Sequence, residues 1–316
     1  MQESDFIPIR VSHLRVGQLL SFDVYVRLGE RHILYRRQGD SLEEEQLQRL
    51  IEKKVKHLFI KKEQERSFRQ YMNANMDAAY TNSLNEAVEV RAQIIHGALQ
   101  GAGEDLISNH DSKVVYDAVK SGAQKFVDFV LQEEGAFRSL MAVPNPDFSP
   151  CHHGVTVAAL ASAMAGEMDL AHKAPLSLMV TGALIHDIDH QIRQSPIEQP
   201  LEELSSTEKA LYHQHPSRGV DILQETGFYD KIVLACVAQH HEFVDGSGFP
   251  LGLREKALDP LGTIVATANS FDRLVSFEGH PPKEALKKLL VERMGQHPLE
   301  HLQALQEVLK KRQIIS

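Results

Sequence analysis

A histidine followed by an aspartate, His186-Asp187, stands at the C-terminal end of the apolar run Leu176–Ile185, where a buried helix would deliver two adjacent donors into the interior. An aspartate carried inside needs a compensating partner. The pair alone fits either a metal site or a helix-end carboxylate hydrogen-bonded to a histidine. A second set, His240-His241-Glu242, follows the apolar segment 232–237. Consecutive helical residues point about 100° apart, so these two rings can serve two neighbouring metals, or one can face solvent while the other bonds in the core. His153 lines up with Val157 and Leu160 on the inner face of a helix expected at 154–168, and His215 precedes Pro216 at a helix break. Six His and Asp side chains thus lie on separate elements at or near apolar segments. Burying so many ionisable groups is costly unless cations coordinate them.

His153 with Val157-Ala158, His186-Asp187-Ile188, His215-Pro216 with Gly219, and the string HHEFVDGSGFPLGL from His240 to Leu253 together resemble the HD-GYP phosphodiesterases over about residues 145–316. The resemblance implies an all-helical HD domain with a two- or three-metal centre, often iron, that hydrolyses the bacterial second messenger cyclic di-GMP. It makes Asp187 the bridging, catalytic carboxylate, with His153, His186, His215, His240 and His241 as the other ligands. Gly248, Phe249 and Arg273 are assigned to the substrate. A two-metal site suits this chemistry because it can polarise a phosphodiester, acidify a bridging water and stabilise the leaving oxygen. Nitrogen-rich ligation favours iron, manganese, zinc or nickel over magnesium or calcium, and two divalent ions are expected, iron first among them.

Four departures from the family pattern bear on activity. Gly248-Phe249-Pro250 replaces Gly-Tyr-Pro, keeping an aromatic plate and losing the phenolic donor. His186-Asp187-Ile188-Asp189-His190 replaces HDxGK, so His190 takes the place of a lysine, either as a catalytic proton donor or as a solvent-facing loop residue. Unbroken spacing puts the last acidic ligand on Asn269, whose carbonyl is neutral. Asp272, three residues on along the same helical face, is the other candidate ligand. Ser149 stands where the three-metal subgroup has a glutamate, which supports two metals. Glu242 and Asp245 either join the chemistry or orient His241 and cap the glycine loop 246–248.

The leading expectation is therefore a metal-dependent phosphodiesterase for cyclic di-GMP or a related cyclic dinucleotide. A catalytically degenerate member that binds the dinucleotide and signals through contacts is the alternative. A di-iron oxygenase of the wider superfamily is a third possibility, supported by the ligand types alone.

The elements that must position these residues follow from the rest of the chain. Its 316 residues predict two domains or so, and twelve of the 17 histidines fall after residue 150. A small mixed α/β domain is expected over 1–63, as a regulatory or protein-partner-binding module. It has short strands at 6–11, 19–28, 32–35 and 57–60 and a helix from Ser41 to Lys53. This half resembles the small domain found ahead of HD-GYP units. Lys61, Lys62, Arg66 and Arg69 fit a solvated helix face better than a phosphate site.

A helical connector is expected over 64–144, its apolar stripe running through Ala78, Ala79, Leu84, Ala87, Val90, Ile94 and Ile95, with a break at Gly101 to Gly103 and a further helix at 114–131. It serves as relay, dimerisation element or spacer. Pro144, Pro146 and Pro150 mark the start of the all-α domain at 145–316. Between His190 and His213, Pro196 and Pro200 suggest a loop, lid or plain connector, ahead of the capping box Ser205-Ser206-Thr207-Glu208. Net charge −9 offers no general attraction to DNA, RNA or an anionic membrane, and no run is long enough to span a bilayer. Two cysteines fit a reducing, cytoplasmic compartment.

Overall fold

The computed structural model describes residues 5–53, 55, 57–83, 85–144, 149–171, 175–193 and 204–316. Leu84, Pro146, Pro196 and Pro200 lie outside the described residues. The chain divides into two compact units at 101/102.

In the first unit four short strands, β1 (Phe6–Arg10), β2 (Val24–Leu28), β3 (Arg31–Arg36) and β4 (His57–Lys61), form an antiparallel sheet in the order β1-β4-β2-β3. Helix α1 (Glu44–Glu52) is followed by α2 (Glu65–Thr81) and α3 (Val88–Ser108), whose residues after 101 belong to the second unit. Ile9, Leu20, Phe22, Val24, Leu42, Leu58 and Ile60 supply the core. Leu20 and Phe22, expected within a strand over 19–28, are buried but precede β2, because the Leu20 backbone bonds Gly39 and Asp40 and does not join the sheet ladder. Ser41 does not cap α1. The Glu43 N–H instead donates to the Gln46 side chain, 3.2 Å away. The expected break at Gly101 to Gly103 is absent: α3 runs through it and ends in the turn before Ser112. A helical glycine costs only about 1 kcal/mol, and the buried Leu99, Leu106 and Ile107 hold the helix across it.

The second unit is helical. Its helices are α4 (Lys113–Gln132), α5 (Ala136–Met141), α6 (Pro150–Glu167), α7 (Leu176–Ile185), α8 (Ile188–Arg193), α9 (Ser206–His213), α10 (His215–Gln224), α11 (Lys231–Gln239), α12 (Pro260–Ser276), α13 (Pro282–Lys287) and α14 (Leu299–Lys311). The capping box forms as expected: Ser205 Oγ accepts from the Glu208 N–H and Glu208 Oε2 from the Ser205 N–H. Pro150 opens α6, which is buried from Cys151 to Ala165, and Asp259 caps α12 by accepting from the Leu261 and Gly262 N–H groups.

Two glycines set the helix crossings that matter. A Cβ on Gly154 would lie 2.8 Å from the Leu184 carbonyl, and one on Gly182 would lie 2.5 Å from the Cys236 Cβ. Only glycine lets α6 and α11 approach α7 this closely, and those crossings bring His153 and His240 against His186 with ring centres 5.0 and 4.7 Å away. Both cysteines are buried, and among the described residues neither forms a disulfide. Among the described residues no helix is long and apolar enough to cross a membrane.

Candidate metal centre

His186, His215 and His240 each stand at the end or start of a helix, and each points Nδ1 at the carbonyl three residues earlier. The partners are Ala183 at 2.7 Å, Tyr212 at 2.6 Å and Val237 at 2.8 Å. A carbonyl only accepts, so each Nδ1 carries the proton and each Nε2 presents a lone pair. These lone pairs converge. His215 Nε2 and His240 Nε2 are 2.8 Å apart, Asp187 Oδ1 lies 3.3 and 3.5 Å from them, and Asp187 Oδ2 lies 3.2 Å from His186 Nε2.

Electron-rich atoms this close need a positive charge among them. Burial holds both His215 and His240 at a pKa of about 4, so neither of these two rings supplies that charge as an added proton at neutral pH. Burial opposes charge on Asp187 as well, yet its neighbours His186, His215 and His240 hold its pKa well below the usual carboxylate range. His186 is raised in turn, its burial outweighed by the charge of Asp187. The donor set fits a divalent cation.

Two groups of donors meet at Asp187. One is Asp187 with His215, His240 and His241, the other His153, His186 and Asp187, with the donor atoms of each group within 4.8 Å of one another. Both members of the His240-His241 pair are buried, so neither ring faces solvent. His153 is gripped from α12: Asn269 Oδ1 lies 2.9 Å from Nε2 and Asp272 Oδ2 lies 2.5 Å from Nδ1. Asn269 also donates from Nδ2 to the His240 carbonyl, and Asp272 Oδ1 accepts from Ser276 Oγ. The two candidates for the last acidic position therefore sit on opposite sides of one imidazole. Ser149 is buried at the N-cap of α6, where its carbonyl accepts from the His153 N–H.

The loop after His241 is bolted to that histidine's own backbone. The Phe249 N–H donates to the His241 carbonyl, and the buried Glu242 carboxylate accepts from Leu251 and Leu253. A Cβ on Gly248 would meet His241 O and Phe243 N at 2.5 Å, so the backbones touch only because residue 248 is glycine. Glu242 caps the loop, and Asp245 does so at the Ser247 N–H. Phe249 lies parallel to His241 on one face, 4.5 Å between ring centres, and to His213 on the other, 4.3 Å. A base stacking on Phe249 would first have to displace the exposed His213.

His190 is buried, not solvent-facing, and among the described residues neither of its ring nitrogens has a hydrogen-bond partner. Burial lowers its pKa to about 4, so it meets the cluster as a neutral imidazole. Asp189 turns away. It accepts from Arg218 through Nη2 at 2.6 Å and from Arg193 Nε at 2.8 Å. Arg273, on α12, packs its guanidinium against the Tyr212 and Phe277 rings.

Tyr212 is the residue that sequence patterning misses: its hydroxyl lies 3.2 Å from His241 Nε2. The only signal was its place in Tyr212-His213-Gln214-His215, three residues ahead of a candidate ligand.

The HD domain family profile matches residues 115–297. A solved structure, Bd1817, an HDG"Y"P protein from Bdellovibrio bacteriovorus, superposes with a TM-score of 0.88 at 38% identity, covering 97% of this chain and 100% of that one. A cyclic di-GMP phosphodiesterase of Pseudomonas aeruginosa is 29% identical over 147 residues, which is 46% of this chain and 35% of that protein. A 3'3'-cGAMP-specific phosphodiesterase of Vibrio cholerae is 29% identical over 138 residues, 44% of this chain and 32% of its own. The chain thus spans about a third of the length of these curated relatives.

Proposed function

Because the chain belongs to the HD domain family, in its HD-GYP branch, we propose that it is a metal-dependent phosphodiesterase that hydrolyses cyclic di-GMP or a closely related cyclic dinucleotide. The observation that carries this is the convergence of Nε2 lone pairs from His215 and His240 on Asp187, itself shared by two donor groups. Asp187, common to both donor groups, would hold two divalent ions together with His153 and His186 in one group and His215, His240 and His241 in the other. Iron heads the candidates, followed by manganese, zinc and nickel. Bound there, the ions supply the Lewis acidity that phosphodiester hydrolysis needs.

The protein's own groups do the rest. Asn269 faces His153 Nε2 as the neutral donor on the ion side, while Asp272 orients that ring through Nδ1. The backbone carbonyls at 183, 212 and 237 fix three tautomers before any ion arrives. Arg273 offers its guanidinium to a substrate phosphate. His190, neutral at pH 7, can pass a hydrogen bond to the leaving oxygen but holds no extra proton there. Gly248 fixes the loop, and Phe249 shields His241. The small unit at the start of the chain serves as a regulatory or protein-binding module.

One observation favours a second reading, in which the site binds a cyclic dinucleotide without cleaving it: the buried His190, standing where the family pattern has a lysine, is neutral at pH 7. Anaerobically purified protein, assayed for metal content and for product from cyclic di-GMP and 3'3'-cGAMP beside Asp187→Ala, decides between them. Two metals per chain with linear dinucleotide or mononucleotide product, lost in the variant, support the enzyme. Saturable binding without product supports the sensor.

A further inference from the structure

Two groups border the cluster without belonging to its ligand set. Tyr212 closes α9 and is 6% exposed. Its ring packs among His190, His215 and His241, with centres 5.3, 4.9 and 5.6 Å away, and stands edge-on to Phe249 at 5.7 Å. Arg273 follows Asp272 on α12. Its guanidinium carbon is 5.6 Å from the centre of the Tyr212 ring and 5.2 Å from that of Phe277. Among the described residues no carboxylate pairs with it.

A guanidinium held between two rings, beside a cation site and unpaired with a carboxylate, is an arrangement that receives an anion. Its planar N–H fork matches phosphate oxygens, and the rings fix its plane. The phenol adds a second donor. Its partner is His241 Nε2, at 3.2 Å, and a nitrogen lone pair given to a metal ion is no longer available to an O–H group. A loaded cluster that takes this nitrogen therefore leaves a buried hydroxyl seeking an acceptor, next to an unpaired cation. Leaving such a hydroxyl unsatisfied is unfavourable. One anionic oxygen satisfies both.

We propose that Tyr212 and Arg273 form the phosphate-holding pair of this site, the Tyr212 hydroxyl donating to a phosphoryl oxygen while the Arg273 guanidinium balances its charge. On the phosphodiesterase reading above, the phenolic donor missing from Gly248-Phe249-Pro250 enters the cluster from α9 instead. Tyr212 is then a binding residue that touches substrate, and its removal acts on the anion and not on the metal.

Inorganic phosphate is the probe. Metal-loaded full-length protein is titrated calorimetrically as wild type, Tyr212→Phe, Arg273→Lys and Arg273→Gln, with metal content and thermal midpoint measured on each preparation. Tyr212→Phe is expected to weaken phosphate binding about tenfold, and Arg273→Gln by about tenfold to a hundredfold, with Arg273→Lys recovering part of that loss. Metal content stays at the wild-type level. Phosphate affinity in Tyr212→Phe equal to wild type at equal metal content overturns the pair. So does wild-type protein that binds no phosphate, or metal lost from Tyr212→Phe, which would make the phenol a ligand.

Hydrolysis of cyclic dinucleotides, run on the same samples, separates the two ideas. Phosphate binding that depends on Tyr212 without turnover in wild type keeps the pair and sinks the phosphodiesterase. Turnover with Tyr212-independent phosphate binding does the reverse.

Discussion

Among its described residues the helical unit buries two clusters of imidazoles, and they are built differently. In the first, His186, His215 and His240 turn their lone pairs toward one carboxylate. In the second, His297 and His301 turn Nδ1 toward a single hydroxyl, Thr267 Oγ1, at 3.2 and 3.4 Å. Burial lowers the pKa in both places, to about 3 for His297 and about 4 for His301, much as for His215 and His240. Among the described residues, however, the candidate metal-holding groups all include Asp187, and neither contains His297 or His301. A buried, hard-to-protonate histidine is thus an ordinary core residue. What distinguishes the first cluster is convergence on a shared carboxylate, with each ring's other nitrogen already committed.

The strongest way to break that contrast is Asp187→Ala, which converts the first cluster into the second kind. Bound metal is expected to disappear and any hydrolysis to fall by about 10³-fold or more, measured by elemental analysis and product chromatography. Asp272→Asn leaves the imidazoles convergent but loosens His153. Metal affinity should fall about 10- to 100-fold in a chelator competition, with the helical circular dichroism unchanged.

Gly248→Ala presses a methyl group against the backbone at His241. A loss of about 1–3 kcal/mol is expected in thermal denaturation, with metal released at lower temperature than in wild type.

The last test sharpens the contrast through pH. His297 and His301 have folded pKa values below their ordinary 6.5, so the unfolded chain takes up protons that the folded one refuses. Stability therefore falls as pH drops from about 6.5 toward 4, by up to about 1.4 kcal/mol per pH unit for each histidine. Urea unfolding across that range should show a shallower decline in His301→Gln. Metal retention at pH 7 should not change.

Much of the first cluster was legible before any coordinates. Residue type, order along the chain and position beside apolar runs all pointed to His153, His186, Asp187, His215, His240 and His241, and the helix Leu176–Ile185 has the bounds of its apolar run. The capping box at Ser205 was legible because it is a local interaction between residues three apart.

What escaped was contact between distant segments. Tyr212 meets His241 across 29 residues, as Asp189 meets Arg218, and no periodicity encodes either pairing. The covering of Phe249 by His213 is equally tertiary, so an aromatic that reads as an open plate in sequence is closed on both faces. The glycines at 101 and 103 misled for a related reason: a local helix-breaking tendency of about 1 kcal/mol each gives way to buried side chains on either side.

The grip on His153 has a consequence for how the unit assembles. Its partner Asp272 is 119 residues away, and the intervening chain supplies every other donor of the cluster. Such a set is complete only when α12 stands against α6, and bringing segments so distant in the chain together carries a loop-closure entropy cost. Capture of an ion by the full set then requires that α12 be docked onto α6. Held ion in turn reports on that docking, so that its escape should precede any loss of helix when the protein is slowly unfolded.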